Sequence, residues 1–568
     1  MVSKNNDILY EFEYDGTPTQ YYYEVTGTTQ NESVLFQSQR QWDPSSTTTL
    51  YEVFGRRNTI GDSIIQTIPR LYPKLEGYDK YSQLFQEGEI PVINLHMEIA
   101  DYNSLTQLSS NQDVEYKVSF DFYSPYEKLT FTNVTLGLSG QGSKGQEKKP
   151  YKFDLSEGDA DKKNTKIFNR SQFKLRSIRY DESGIKNKLA GDIAESLGLP
   201  IAQSAPCRLY INNKSYGLYE IADMYKKSFL KRFFNIQKNT DGYVYGSLYK
   251  GVSGVYPAYF YSDIGNSRIQ DLYESVVEPT GGYDPHQDIN NMIAWAENLP
   301  LNAPLEEIEK QFDVDMFLKY CIIEYLICQW DGYNINGNNF FTYIEPNNGK
   351  YHFFSYDFDL TFGKWCKPGK GTFDDYIANV EDTKHQSYGP NPGKKNPILY
   401  DKIINNINIK PKFEEMIKDV VGNLFNIEAL GPRIEYFHQF LIDDLYWDVF
   451  CYNIIQTQTF SNADVQNKPT TSVIEAQYSD TEVSTENLRA WVKYKAVDVQ
   501  QAYGGIPSLK SDPRYGVVGG KIMSIGSSNE DDNASSNNTT SSGSSMSFTT
   551  SITLLFIIMS IVCSWIAN

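Results

Sequence analysis

The segment VDMFLKYCIIEYLICQW, residues 314–330, constrains the fold most, because its apolar run predicts a long buried helix central to a helical lobe. Such a helix must be covered by other elements, and the sequence supplies them at once. A polar loop, DGYNINGNN, is followed by FFTYIEPNNGKYHFFSYDFD, which reads as a strand, an Asn-Asn-Gly turn and a second strand. The second strand runs into Asp357 and Asp359. Strand alternation aims both carboxylates at one face and Phe358 at the other. Two desolvated carboxylates repel each other, and ionising both calls for a neutralising cation. Hard oxygen donors favour magnesium, calcium or manganese. The competing reading is a strand that ends in a polar hairpin.

At 568 residues the chain is too long for one compact core, and two or three structural units are expected. With 40% hydrophobic and 22% charged residues it belongs with folded globular proteins. A net charge of −19 argues against nucleic acid as a partner, since phosphates need a basic face. Only 5 His are present, which turns attention from His-based catalysis and zinc toward Asp, Glu and Asn. Residues 1–110 alternate β-type segments with polar turns and read as a β-rich extension. Residues 111–260 read as a β-rich lobe, with strands at VEYKVSFDFYS, KLTFTNVTLGLSG, KKPYKFDL and FKLRSIRY, and a hairpin at CRLYINNKSYGLYEIAD. Within that lobe, residues 183–197 carry Ile185, Leu189, Ile193 and Leu197 at helical spacing, with Ser183 as a cap and Gly198 as a stop. Residues 261–510 read as mainly helical. The fold class expected is α+β.

The six cysteines include no C-x-x-C, which sets aside zinc ribbons and thioredoxin-type motifs. Cys321 and Cys328 lie two turns apart on the apolar helix and are expected as free core thiols. Residues 511–550 are a stalk rich in Ser, Thr and Asn toward its C-terminal end, a composition that cannot bury enough apolar surface to fold. Residues 551–568 are almost wholly apolar. Small residues at Ser541, Ser542 and Gly543, a polar spacer and an apolar end follow the layout of a GPI-attachment signal, with Ser541 as the attachment residue. A retained tail anchor is the alternative. The N-terminus shows no apolar signal core, which conflicts with a GPI signal and points to a truncated or mis-started chain. Sequons at Asn31, Asn133, Asn169 and Asn213, with Asn533, Asn537 and Asn538 in the stalk, are compatible with secretion.

Phosphoryl transfer from a nucleotide needs an Asp to orient the acceptor, Asn and Asp to hold magnesium, and cations to steady phosphates. The chain offers Asp331, Asn339, and Asp357 with Asp359. Upstream stand a Gly-rich turn at 139–146 and Lys148, Lys152, Lys174 and Arg176. That order parallels protein kinases, although G-x-G-x-x-G, H-R-D and D-F-G are all absent. Each part has a plainer reading: the Gly-rich stretch as a surface loop, Lys148 and Lys152 as a solvated strand face, Arg176 as a structural ion pair, and Asp331 as a turn residue.

The strings SGQGSKGQEKKPYKFDL, FKLRSIRYDESGIKNKLAGDIAESLGL, CQWDGYNINGNNFFTY and SYDFDLTFG together resemble the spore coat protein H (CotH) kinase family, in particular its fungal, GPI-anchored surface branch, from about residue 85 to about residue 450. The resemblance implies an atypical protein kinase-like fold of two lobes, preceded here by the β-rich extension. It implies transfer of the γ-phosphoryl group of ATP to Ser residues with magnesium, or manganese in its place. It assigns Asp331 as the catalytic Asp, and Asp357 with Asn339 and Asp359 as the metal side. Lys148, Lys152, Lys174 and Arg176 become the basic positions near ATP. Asp223 falls where the family has Glu, and Gly142 and Gly145 replace bulkier residues. The implied partners are proteins with Ser acceptors, a host or cell-wall receptor, and the membrane through a C-terminal lipid anchor. The alternative function is a catalytically weak or inactive surface adhesin.

Overall fold

The computed structural model describes residues 2–3, 8–16, 18–25, 32, 39–56, 65–108, 112–282, 284, 286–366, 370–378, 396–459, 469–480, 486–506, 516–518 and 552–557. Asn31, Ser541, Asn533, Asn537 and Asn538 lie outside them. The fold is α+β, and its centre is a closed seven-stranded barrel. The staves are β1 (Val92–His96), β2 (Glu115–Tyr123), β3 (Lys128–Leu138), β4 (Tyr151–Asp154), β5 (Gln172–Arg176), β6 (Ser204–Ile211) and β7 (Lys214–Ala222). They pair in the order β4-β5-β7-β6-β1-β2-β3, and β3 returns to β4. Only β6 with β1 is parallel. β1 comes from the stretch read in the sequence as N-terminal extension, yet it is an integral stave.

Alternation explains the barrel. Phe153, Phe173 and Leu175 are buried inside, while Lys152, Lys174 and Arg176 stand on the outer face. Phe153 stacks on Phe173 at 4.7 Å and Phe120 on Phe131 at 5.0 Å, filling the interior. Asn212 and Asn213, at φ +50° and +64°, make the tight turn between β6 and β7 that the hairpin pattern predicts.

A second sheet packs beside the barrel, made of β8 (Leu248–Gly251), β9 (Tyr273–Val277), β10 (Phe340–Ile344) and β11 (Tyr351–Ser355), in the order β9-β8-β10-β11. The helices that matter for the site are α1 (Lys186–Ser196), α2 (Val314–Ile327), α3 (Tyr333–Asn336), α4 (Lys410–Asn423), α5 (Ile427–Thr459) and α6 (Leu488–Tyr503). In α2 every residue except Asp315 and Met316 is buried, as its apolar run demands. Helix α1 starts later than the sequence suggests. Ser183 does not cap it; its hydroxyl turns to Asp181 at 2.5 Å.

Buried ion pairs fasten α5 to the barrel and to α1. Arg208 on β6 meets both oxygens of Asp444 at 2.6 and 2.8 Å, and Arg433 meets Asp192 of α1 at 2.9 Å. Short strands Leu9–Tyr14, Gln20–Tyr21, Arg40–Gln41 and Glu52–Val53 precede the barrel. Within the apolar tail read as an anchor, Ile552–Ile557 pairs antiparallel with Leu9–Tyr14 and parallel with Glu52–Val53. No helix among the described residues is long and apolar enough to cross a membrane.

Cys321 is a buried free thiol, as expected, but Cys328 is not: it forms a disulfide with Cys366. Its partner lies 38 residues away, brought to a Cα separation of 6.2 Å by the turn that follows Asp359. Helix spacing carries no information about such a partner. The loop closed is long enough that cutting it, by reduction or by Cys328→Ala with Cys366→Ala, is expected to lower unfolding free energy by about 2–4 kcal/mol. Urea denaturation with and without reductant checks this. An unchanged midpoint would show that packing alone holds the turn.

Candidate active site

Helix α2 ends at Cys328, whose φ of +49° turns the chain out of the helix and into the loop carrying Asp331. The loop is shaped by Glu324, buried one turn earlier. Its Oε1 accepts from the Asn334 backbone N–H at 2.6 Å and its Oε2 from the Asn334 side chain at 2.9 Å. The carboxylate therefore sits at the N-terminus of α3, where amide donors are otherwise unmatched. Gly332 is required there: a Cβ would come within 2.6 Å of Glu324 Oε1.

Asp331 is half-buried, and its Oδ2 accepts from the side-chain amides of Asn338 and Asn339, each at 2.9 Å. Asn339 adopts φ +50° and leads directly into β10, while its carbonyl accepts from Tyr356 N–H at 3.0 Å. The two ends of the β10/β11 hairpin are thus joined beside Asp331.

Asp357 and Asp359 are not on the strand. β11 stops at Ser355, and Asp357 takes φ +63°, so a turn rather than alternation brings the two carboxylates together. They are hydrogen-bonded to each other. The Arg176 guanidinium reaches across from the barrel to Asp357, approaches Asp359 at 3.4 Å and meets Glu220 at 3.3 Å. Burial pushes both Asp carboxyls up. At Asp357 burial is the largest single influence, but the Arg176 charge, the hydrogen bonds to Arg176 and Asp359 and the Lys174 charge together outweigh it and hold the group below the usual carboxylate range. At Asp359 burial and the Asp357 charge together raise it well above that range. Lys174, two residues before Arg176 on the same face, is pushed down to about 8 by burial and by the neighbouring Lys250 and Arg176 charges. The amine of Lys186, fully buried at the start of α1, has no hydrogen-bond partner and feels Glu182, Asp181 and Asp359.

The structure therefore gathers Asp331, Asn339, Asp357, Asp359, Arg176 and Lys174. The Gly-rich turn, Gly142–Gly145, is tied to the same region: Gln146 bonds to Tyr180, whose ring meets Trp365 at 5.3 Å beyond the Asp359 turn. Lys148 is placed elsewhere. It is buried rather than on a solvated strand face, and its Nζ meets Asp448 Oδ1 and the Leu218 carbonyl, both at 2.6 Å. Lys152 stands opposite Lys174 in register and pairs with Glu115 at 3.1 Å. Asp223 holds Arg170 at 3.0 Å and Arg232 at 2.7 Å. The acid facing Arg176 is Glu220, its register partner on β7. Glu220 was readable as an acid in the apolar run LYEIA, but only register assigns it to Arg176. Of the sequons, Asn133 and Asn169 are exposed, and Asn213 is half-buried, accepting from Asn94 at 2.7 Å.

In donor chemistry, the Asp357–Asp359 pair offers the hard oxygens that a divalent cation takes, and here the Arg176 guanidinium and a shared hydrogen bond hold the pair together. Among the described residues no cluster of three or more His, Cys, Asp or Glu is arranged to hold a metal. Two carboxylates suit magnesium, which keeps waters and substrate phosphates as its remaining ligands.

Glu324 offers a test of the loop by pH. Burial pushes its carboxyl up to about 8 against the pull of the amide donors of Asn334, Ile335 and Tyr333. A carboxyl held up in the folded state keeps its proton there, so its contribution to stability is full below the unfolded value of 4.5 and is lost as pH rises toward 8. Between pH 6 and pH 8 the wild type is expected to lose about 2–3 kcal/mol relative to Glu324→Gln, at about 1.4 kcal/mol per pH unit. Urea unfolding of both proteins at the two pH values measures it, and parallel curves would refute it.

A barrel and a second sheet that meet over acidic and amide side chains, faced by a cationic strand, define an α+β protein with a polar site between elements far apart in sequence. A family model described as CotH kinase protein matches residues 137–497, more than half of the chain, and the chain belongs to that family. Among curated relatives, Invasin CotH3 of Rhizopus delemar is 29% identical over 378 residues, covering 65% of this chain and 58% of that protein. Invasin CotH2 of the same organism is 28% identical over 384 residues, covering 65% and 59%. Spore coat protein homolog 1, also from Rhizopus delemar, is 29% identical over 341 residues, covering 59% and 51%. The chain thus spans little more than half the length of these relatives.

Proposed function

We propose that this chain is an ATP-dependent protein kinase of the two-lobed, atypical type, transferring the γ-phosphoryl group to Ser residues of surface or secretory-pathway proteins with magnesium, or manganese in its place. The observation that carries the reading is the convergence of Asp331, Asn339, Asp357, Asp359 and Arg176 from four separate elements. Membership of a family described as a kinase supports it. Asp331, steadied by two amides on Oδ2, would orient the acceptor hydroxyl and receive its proton. Asp357 and Asp359, with the Asn339 amide, would hold the cation. Bound there, magnesium would neutralise charge developing on the transferred phosphoryl group. Arg176 and Lys174 would face the phosphates, with Lys152 farther along the barrel flank. Lys148 would support the barrel–α5 contact and not the nucleotide. Asp223 would serve in the Arg170–Arg232 ion pairs.

A second reading, a surface binding protein with a weak or silent site, is favoured by the names of two relatives, which are invasins. It places the chain at the cell surface, lipid-anchored through its apolar C-terminus, with a host or cell-wall receptor as partner. Incubating the purified chain with γ-labelled ATP and magnesium or manganese, beside Asp331→Ala, separates the two. Label on the chain or on a Ser-rich acceptor, absent from the variant, supports the kinase. Folded protein with no label and no nucleotide-dependent thermal shift supports the binding protein.

A further inference from the structure

The peptide unit that follows Asp357 is gripped at both polar ends by side-chain amides from two other elements. Gln329, just past the end of α2, donates its amide to the Tyr356 carbonyl at 2.9 Å and to the Asp357 carbonyl at 3.0 Å. Asn187, in the first turn of α1, accepts from the Phe358 N–H at 2.7 Å. The Asp357 carbonyl and the Phe358 N–H lie in one rigid plane, so turning that plane breaks both contacts together.

Each amide is itself anchored. The Asn187 side-chain N–H donates to Glu220 Oε2 at 3.1 Å, and Glu220 faces Arg176 in register across β5 and β7. Arg176 in turn holds the Asp357 carboxylate, which closes a circuit from side chain to backbone of one residue. Gln329 is fully buried, two residues before Asp331, and its Oε1 has no hydrogen-bond partner. A buried amide with an unmatched oxygen is costly, so an apolar residue would be the more stable filler unless the donor end were needed. What the donor end supports is Asp357 at φ +63°, a conformation that persists only where its surroundings over-determine it.

We propose that Gln329 and Asn187 are positioning residues that clamp the Asp357–Phe358 peptide plane, and so set the direction of the Asp357 carboxylate and its affinity for a divalent cation. This rests on reading Asp357 as a metal ligand. Neither residue meets the substrate; both act through the backbone of Asp357. Outer-shell partners of metal ligands typically contribute 10- to 100-fold in affinity.

The test is a titration of the purified full chain with Mn²⁺ alone, following free Mn²⁺ by electron paramagnetic resonance, beside Asp357→Asn, Gln329→Glu, Gln329→Met and Asn187→Leu. Urea unfolding of each variant runs in parallel. Gln329→Glu keeps the shape but leaves at most one donor for two carbonyls, and is expected to weaken Mn²⁺ binding about 10- to 100-fold. Gln329→Met serves should the buried charge prevent folding, and is expected to weaken binding in the same range. Asn187→Leu is expected to do likewise. Gln329→Met with Asn187→Leu should cost less than the product of the two, because both hold one plane. Variants that bind Mn²⁺ like wild type, while Asp357→Asn does not, overturn the clamp and leave the metal reading standing. Wild type that binds no better than Asp357→Asn removes the metal reading, and the clamp with it.

Discussion

Asp357→Asn is expected to leave the fold intact and, under the proposed kinase function, to lower phosphoryl transfer by 10²-fold or more. The substitution keeps the size of the side chain and the room it occupies at φ +63°. It removes the charge that Arg176 now balances and that a divalent cation would require. Single-turnover transfer of labelled phosphate, compared with wild type at saturating magnesium, measures the loss. Asp331→Asn is the informative companion. It keeps one acceptor for the Asn338 and Asn339 amides, so the loop stays placed while the proton acceptor is removed. Full transfer by Asp357→Asn would remove this residue from the metal role and leave Asp359 as the remaining carboxylate of the pair.

The largest expected effect on stability is at Arg433, buried between α5 and α1. Its Nε and Nη2 meet Asp192 Oδ2 at 3.0 and 2.9 Å, its Nη1 meets the Gln66 carbonyl at 2.8 Å, and Glu87 is bonded as well. The guanidinium also lies 4.5 Å from the centre of the Phe437 ring. Arg433→Met would remove that guanidinium from Asp192 and Glu87, both of which also face Lys188. Breaking a buried pair from one side typically costs about 3–5 kcal/mol, because a desolvated charge is left behind. The urea midpoint of Arg433→Met checks this. The triple change Arg433→Met, Asp192→Leu, Glu87→Leu should recover most of the loss, since it removes the charges along with the pair. A single variant within about 1 kcal/mol of wild type would mean that water or Lys188 satisfies the carboxylates.

Much of the site could be read from local pattern. The apolar run of α2, the Asn-Asn-Gly and Asn-Asn turns, and the alternation that puts Lys152, Lys174 and Arg176 on one side of the barrel all depend on neighbours within a few residues. The Asp357–Asp359 pair was visible too, although for a different geometric reason: the strand ends before it and a turn does the work of alternation. Lys148 shows where local reading stops. Its sequence context, a lysine just before a strand and after a glycine turn, is the same whether it faces phosphate or Asp448, its partner 300 residues away.

What periodicity and turn chemistry decide is which segments become strands and helices and which side each residue faces, because those preferences arise from contacts a few positions apart. Partner identity is different. Glu220 rather than Asp223 opposite Arg176 follows from strand register, and Cys328 with Cys366 follows from the turn after Asp359. The Gln329 and Asn187 contacts to one peptide follow from the packing of α1 against the end of α2. Each joins residues 28 to 171 positions apart. Contacts at that separation are selected by how whole elements pack, and no window of sequence around either residue contains the other.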